Sequence, residues 1–397
     1  MIIGEFNDSF PPLMDGVGGV VKNYTLQLKK QGDTVYVLAG GYENSDEYDK
    51  QMGWDYVYRM PAKEVKRIRP YGILKCPQAL FDQLMAIDFD LIHIHSPFYA
   101  GSVGRKIALA KHIPLVGTFH TLYADDINLF VHNIKPLTDL VLRKIMRNYY
   151  LCDEVWTPSS STRKVLITDY NFKKDVQVME NGCDMVVPSS QERAEMKKKA
   201  YDYTGIKEDM PVVIYVGQHK DAKNLPLVLQ SLAILRQKGI PFRMLFVGEG
   251  PQAEDYKKFV KSHDMESYVS FLGKITDRTL VASLYCISSL FLFPSLYDTS
   301  CLVMREAACF KLPVAFIKDA CTSEGIIDGD NGYLSENTPQ AFSDTIYRAI
   351  INKEEHDHVG LRARESLYHS WEEVLTQVKK RYENLVATHG NGHQTAH

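Results

Sequence analysis

Asp298 and Glu306 stand eight positions apart in a stretch whose residue types can do chemistry. The run Phe291-Leu292-Phe293 is apolar and stops at Pro294-Ser295, which predicts a buried parallel strand entering a loop. Asp298, Thr299 and Ser300 are N-cap and first-turn types, and a helical pattern from Cys301 to Ala308 follows. One carboxylate is then expected at a helix mouth and the other about two turns along the same face. Lys220 and Lys223 lie in a polar loop after a second apolar run, 212–216. A cation beside free backbone N–H groups can hold a diphosphate and stabilise its charge as it leaves. Glu306 then suits a ribose and Asp298 sugar hydroxyls. The same spacing also suits a capped core helix with a solvated Glu306.

The elements that would position these residues come in two similar halves. Residues 2–7 form a short apolar strand that runs into a proline- and glycine-bearing loop, with a helix expected from near Val20. Gly18 and Gly19 in that loop allow backbone N–H groups to approach a ligand closely. Strands are expected at 34–39, 91–95, 115–119, 154–157 and 176–179, with helices at 78–85 and 102–110 between them. That alternation implies a parallel sheet with right-handed crossovers. Such sheets do chemistry at the carboxyl ends of their strands, where His93, His95 and His120 fall. His120, followed by Thr121, Tyr123 and Asp125, is the better candidate for catalysis; His93 and His95 suit structural roles. After a charged connector the pattern restarts, with strands expected at 212–217, 244–247, 268–272, 289–293 and 313–317. The expected domains are 1–187 and 188–370, both α/β and Rossmann-like. A last helix, 371–387, carries Trp371, Val374, Val378, Tyr382 and Leu385 on one stripe.

Composition removes several classes. A net charge of −3 over 397 residues gives no support to nucleic-acid binding. Seven scattered cysteines without a CxxC pair argue for free thiols in a reducing compartment and against a zinc site. The N-terminus has no signal-peptide pattern and no apolar run reaches membrane-span length, so a cytoplasmic protein is expected. No cluster of metal-binding carboxylates stands out, so no metal and no cofactor is expected. Lys223 and the helix dipole would then neutralise a leaving diphosphate.

Taken jointly, the motifs resemble those of the retaining GT-B glycosyltransferases of family 4, over nearly the whole chain. Gly16-Val17-Gly18-Gly19 resembles the family's glycine loop and Asn181-Gly182-Cys183-Asp184 its NGVD hinge. Residues 217–224 are similar to its GR-x4-KN loop, 298–306 to its E-x7-E motif, and Asp330-Asn331-Gly332-Tyr333 to its DGxNG stretch. The resemblance implies two Rossmann-like domains facing a cleft, with the C-terminal helix crossing back to the N-terminal domain. It implies a nucleotide-sugar donor, most often UDP-linked, and front-face displacement with retention of configuration. Lys223, Gln218 and Gly217 would then hold the diphosphate, assisted by backbone N–H groups near Thr299, Ser300, Cys301 and Leu302. Glu306 would bind the ribose, Asp298 the donor sugar, and His120 that sugar near C6. Gly18 and Gly19 would lie beside the donor phosphate, and Gly273 and Lys274 would line the base pocket.

Two residues depart from the pattern. Asp298 replaces a glutamate and Gln218 an arginine, and losing a charge-assisted hydrogen bond costs about 1.5–3 kcal/mol if nothing replaces it. Residues 117–126 are similar to a stretch in bacterial glucosyltransferases acting on diacylglycerol. Residues 63–69 and 135–147 mix basic and apolar types, as a peripheral contact with an anionic membrane would; solvated helix faces give the same pattern. The expected activity is therefore hexose transfer to a lipid acceptor. A soluble or polyprenyl-linked saccharide acceptor and an inactive nucleotide-sugar-binding regulator are the alternatives.

Overall fold

The computed structural model describes residues 1–13, 15–65, 71–123, 127, 135–296, 298–299 and 302–392. The chain divides into two units, Met1–Asn181 with Trp371–His397, and Gly182–Ser370. The division falls at 181/182 rather than at the expected 187/188, because the segment after it is already tied to the second unit. The Cys183 N–H donates to the His369 carbonyl at 2.8 Å, and Cys183 and Met185 are buried in that unit's core.

Unit 1 is an eight-stranded sheet ordered β4-β3-β2-β1-β5-β6-β7-β8. Its strands are β1 (Ile2–Phe6), β2 (Thr34–Gly41), β3 (Val57–Glu64), β4 (Gly72–Leu74), β5 (Leu91–Ile94), β6 (Leu115–Thr118), β7 (Glu154–Thr157) and β8 (Val176–Val178). All neighbours are parallel except β3–β4. Strands β3 and β4 are additions to the expected set. They escape the periodicity because β3 carries Pro61 and a mixed, half-exposed pattern, as edge-side strands do. The strand order reverses between β1 and β5, and ligands bind outside the carboxyl ends at such a switch point.

The glycine stretch differs from the expected loop. The first helix spans Gly16–Lys30, so Gly16, Gly18 and Gly19 form its first turn. Asp15 caps it: the Gly18 N–H donates to Asp15 Oδ1 at 2.6 Å, satisfying one of the free donors every helix start exposes. The Tyr99–Lys111 helix likewise starts earlier than the expected 102, on an acid from another strand. Asp8, just past β1, accepts from the N–H groups of Tyr99 (3.1 Å) and Ala100 (3.0 Å) and from the Ser96 hydroxyl. Burial pushes the Asp8 carboxyl up, and these three donors pull it back.

The C-terminal helix, Trp371–Gly392, packs on unit 1. Trp371, Val374, Leu375, Val378 and Tyr382 lie buried against Ile3, Val20, Tyr24, Leu28 and Trp156. Arg381 forms a two-pronged contact with Glu154 at 2.7–3.0 Å. Asp33 accepts from the chain's N-terminal amine at 2.9 Å and forms an ion pair with Lys379, also at 2.9 Å.

Unit 2 is a six-stranded parallel sheet ordered β11-β10-β9-β12-β13-β14. It comprises β9 (Val212–Val216), β10 (Arg243–Val247), β11 (Val269–Gly273), β12 (Leu290–Phe293), β13 (Val314–Ile317) and the unforeseen three-residue edge strand β14 (Tyr333–Ser335). Val212 and Ile214 enter one core layer while Val213 and Tyr215 enter the other. Burial on both faces is why these strands read as unbroken apolar runs. The switch point of this sheet lies between β9 and β12, the two strands that precede the Lys223 loop and Asp298.

The Trp371 side chain is 4% exposed. Trp371→Ala is expected to cost unit 1 about 3–5 kcal/mol, read as a lowered denaturation midpoint and faster hydrogen exchange in the Gly16–Lys30 helix.

Candidate active site

In unit 2, the chain after β9 runs through Gly217-Gln218-His219-Lys220 into a single 3-10 turn, Asp221–Lys223, and then into the helix Leu225–Gln237. Three strand ends meet here through glycines. A Cβ on Gly248 would lie 1.9 Å from the Gly217 carbonyl oxygen, and one on Gly250 would lie 2.1 Å from that of His219. Gly248 also has φ +129°, which side-chain-bearing residues rarely adopt. The backbones are thus close enough for His219 N–H to donate to the Glu249 carbonyl at 2.9 Å and Gly248 N–H to that of Gly273 at 2.8 Å. Lys274 N–H reaches Glu249 Oε1 at 3.4 Å, so Gly273 and Lys274 lie beside the phosphate-loop candidates. Gln218 is exposed, its carbonyl held by the Tyr215 hydroxyl at 3.0 Å.

Lys223 Nζ meets Asp298 Oδ2 at 2.5 Å, joining residues that belong to separate motifs. Asn224, in the left-handed region at φ 53°, braces the same junction. Its amide donates to the Pro294 carbonyl at 3.2 Å and to Asn337 Oδ1 at 3.0 Å. The helix that follows spans Leu302–Cys309, so Asp298 and Thr299 precede it, and Asp298 belongs to the loop instead of the helix face. Ser300 and Cys301 lie outside the described residues.

Glu306 is buried inside that helix, and unit 2 satisfies both its oxygens. Arg278 donates to Oε1 at 2.7 Å and the Tyr285 hydroxyl to Oε2 at 2.9 Å. Arg278 also reaches Asp184 at 2.7 Å, which ties the NGCD stretch to Glu306. Burial raises the Glu306 carboxyl above its ordinary range, with Arg278 opposing. Arg278 and Tyr285 went unrecognised in the sequence because neither belongs to a motif; only their packing brings them to Glu306.

In unit 1, His120 follows β6 and is buried. The parallel register pairs Glu5 of β1 with His93 of β5. Alternation then puts Glu5, His93, His95, Thr118 and His120 on one face of the sheet. His95 Nε2 lies 2.6 Å from Glu5 Oε2, and His95 Nδ1 lies 3.0 Å from His120 Nε2. His93 bridges Tyr382 (2.5 Å) and Thr118 (2.7 Å). Glu5, His93 and His95 each offer a potential metal-ligand atom, all within 4.8 Å. All four ring nitrogens of His93 and His95 already face protein partners, so hydrogen bonding accounts for the cluster. Glu5 and the two histidines carried a detectable signal, because a glutamate inside Ile2–Phe6 and histidines at i, i+2 in an apolar strand are costly to bury. Of the Lys135–Tyr150 helix, Leu137, Leu140, Arg143, Lys144 and Arg147 are exposed. No described helix is long and apolar enough to cross a membrane.

His219 is 1% exposed and ringed by Tyr215, Phe246, Tyr256 and Phe271. Among the described residues neither of its ring nitrogens has a hydrogen-bond partner. Burial lowers its pKa, Glu249 opposing and Lys257 adding to the effect. A histidine held neutral in the fold contributes stability above its unfolded pKa of about 6.5, and that stability is lost as pH falls. Thermal midpoints of the protein are therefore expected to drop between pH 7 and 5, with a shallower drop in unit 2 for His219→Phe. An equal slope for both proteins would show that His219 takes no part.

Comparison with known proteins agrees with this architecture. Residues 14–187 match the model of Glycosyltransferase Family 4, and residues 196–366 that of Glycosyl transferases group 1. An alpha-monoglucosyldiacylglycerol synthase of Acholeplasma laidlawii is 25% identical over 351 residues, 84% of each chain. A GDP-mannose-dependent alpha-mannosyltransferase of Corynebacterium glutamicum is 25% identical over 385 residues, 96% of this chain and 88% of the relative. The crystal structure of Anabaena HepE in complex with UDP superposes with a TM-score of 0.75 at 17% identity, covering 97% of this chain and 100% of that one. With one family domain in each half, the chain belongs to the family 4 type of glycosyltransferases and has their GT-B fold.

Proposed function

We propose that the protein is a retaining hexosyltransferase that moves a sugar from a UDP-sugar, UDP-glucose or a close analogue, to a lipid acceptor such as diacylglycerol at a membrane surface. The observation that carries this reading is the Lys223–Asp298 ion pair at the switch point of unit 2. Lysine has three N–H donors, so one meets Asp298 and the others are available to a diphosphate. Asp298 accepts from hydroxyls of the transferred sugar. Glu306, oriented by Arg278 and Tyr285, accepts from ribose hydroxyls with its remaining lone pairs. Lys223 and the N–H groups at the start of the Leu302–Cys309 helix neutralise the leaving diphosphate without a metal. In unit 1, His120 serves the transferred sugar, and the first turn at Gly18 and Gly19 the donor phosphate. Among the described residues nothing lies within 4 Å of where a Gly19 Cβ would project, so their packing does not require glycine there.

The lipid acceptor rests on two supports. One is the name of the Acholeplasma laidlawii relative. The other is the row of exposed leucines and cations on the Lys135–Tyr150 helix, a composition that suits peripheral binding to anionic lipid. A GDP-linked donor is the second reading, favoured by the equally similar mannosyltransferase.

Purified protein incubated with UDP- and GDP-sugars is expected to turn over a UDP-hexose when diacylglycerol-containing anionic liposomes are present. Turnover only of a GDP-sugar would overturn the donor, and failure to sediment with the liposomes would overturn the acceptor. Lys223→Ala should lower turnover by about 100-fold or more. Gly19→Ala should leave the thermal midpoint unchanged or raised, since alanine is the better helix former, while turnover falls by about 10- to 100-fold.

A further inference from the structure

The hydrogen bonds behind His120 form one continuous buried line. Glu5 Oε2 meets His95 Nε2 at 2.6 Å, and His95 Nδ1 meets His120 Nε2 at 3.0 Å. The His95 and His120 rings stack with centroids 5.2 Å apart and planes 17° apart. Glu5, His95 and His120 are 0%, 1% and 5% exposed. The Tyr382 hydroxyl, from the C-terminal helix, reaches Glu5 Oε1 at 3.2 Å and His93 Nδ1 at 2.5 Å. The Tyr24 ring stands edge-on to His93 and His95, closing the face toward the Gly16–Lys30 helix. Among the described residues, no lysine or arginine forms an ion pair with Glu5.

A neutral imidazole carries one proton, so each ring donates through one nitrogen and accepts through the other. That gives the line a direction. With Glu5 as carboxylate, His95 donates from Nε2, and its Nδ1 accepts from His120 Nε2–H. With Glu5 protonated on Oε2, every bond reverses: Glu5 donates to His95 Nε2, His95 Nδ1–H donates to His120 Nε2, and the His120 proton sits on Nδ1. Any other arrangement sets two lone pairs or two protons against each other at 3.0 Å, in a place where an unmade hydrogen bond is costly. Burial keeps all three groups near their uncharged forms, lowering the histidines, His95 to about 3, and raising Glu5.

We infer that Glu5, acting through His95, decides which nitrogen of His120 carries its proton, so that Glu5 and His95 are positioning residues for glycosyl transfer. Tyr382 fixes Glu5, so the C-terminal helix is part of the same device. The inference rests on the reading that His120 serves the transferred sugar, but the relay is measurable without turnover.

Nitrogen-15 histidine spectra of the full-length protein, assigned with single-histidine substitutions, test it directly. His95 and His120 are expected to bear their protons on like-named nitrogens, both Nε2 or both Nδ1. Unlike nitrogens would overturn the relay even in the wild-type protein. His95→Phe keeps the stacked ring and breaks the line. It is expected to give His120 a mixture of tautomers and to lower kcat at least tenfold with KM within about threefold. An unchanged single tautomer in that variant would also overturn the relay. If the tautomers behave as expected while no sugar donor is turned over, the relay stands and the proposed function falls.

Discussion

In both units a parallel sheet is covered by helices on both faces, and that burial governs where polar chemistry can occur. Side chains in the middle of the central strands have no access to water, so charged and polar groups there either find partners inside or move to the carboxyl ends. The sheet orders reverse between β1 and β5 and between β9 and β12. The crossovers leave those strand ends from opposite sides, which opens a crevice there. The Lys223 loop follows β9 and Asp298 follows β12, at the switch point of unit 2, whereas His120 follows β6 in unit 1. In unit 2 the ends are drawn together by glycines, since a Cβ at Gly248 or Gly250 would collide with neighbouring carbonyls.

Two buried acids show contrasting answers to the same desolvation problem. Glu306 has a guanidinium and a phenol, the charge-paired arrangement that lets a carboxylate stay buried. Glu5 has two histidines and a phenol around it, all of which burial pushes toward neutrality. The first arrangement fixes a charge in place. The second holds a proton that can sit at either end of a hydrogen-bonded line, which suits adjusting a tautomer better than neutralising a phosphate.

The C-terminal helix joins packing to this chemistry. Its stripe from Trp371 to Tyr382 completes one core of unit 1, and Tyr382 ends that stripe against Glu5 and His93. The Tyr382 ring also stacks on Trp156 of β7 at 5.5 Å and 13°, so packing against that strand aims its hydroxyl.

Much of this was legible in the residues themselves. Apolar runs marked the strands of both central sheets, because burial on both faces leaves a local, contiguous signature. The helix stripe of 371–387 and the lysine loop at 217–224 were equally plain. Short or edge-side strands such as β4 and β14 were not, since three residues carry no period. Asp298 was read at a helix mouth because its type suits an N-cap, whereas the helix described begins at Leu302. What the sequence by itself determined is therefore the two α/β halves and the stretches that carry their polar loops, all encoded within a few neighbouring residues. Tertiary structure alone decided that Lys223 meets Asp298, that Arg278 and Tyr285 hold Glu306, and that Glu5 reaches His95 and Tyr382. Those partners stand 75, 28, 21, 90 and 377 positions apart, and such contacts follow from strand register and helix packing, which no local pattern specifies.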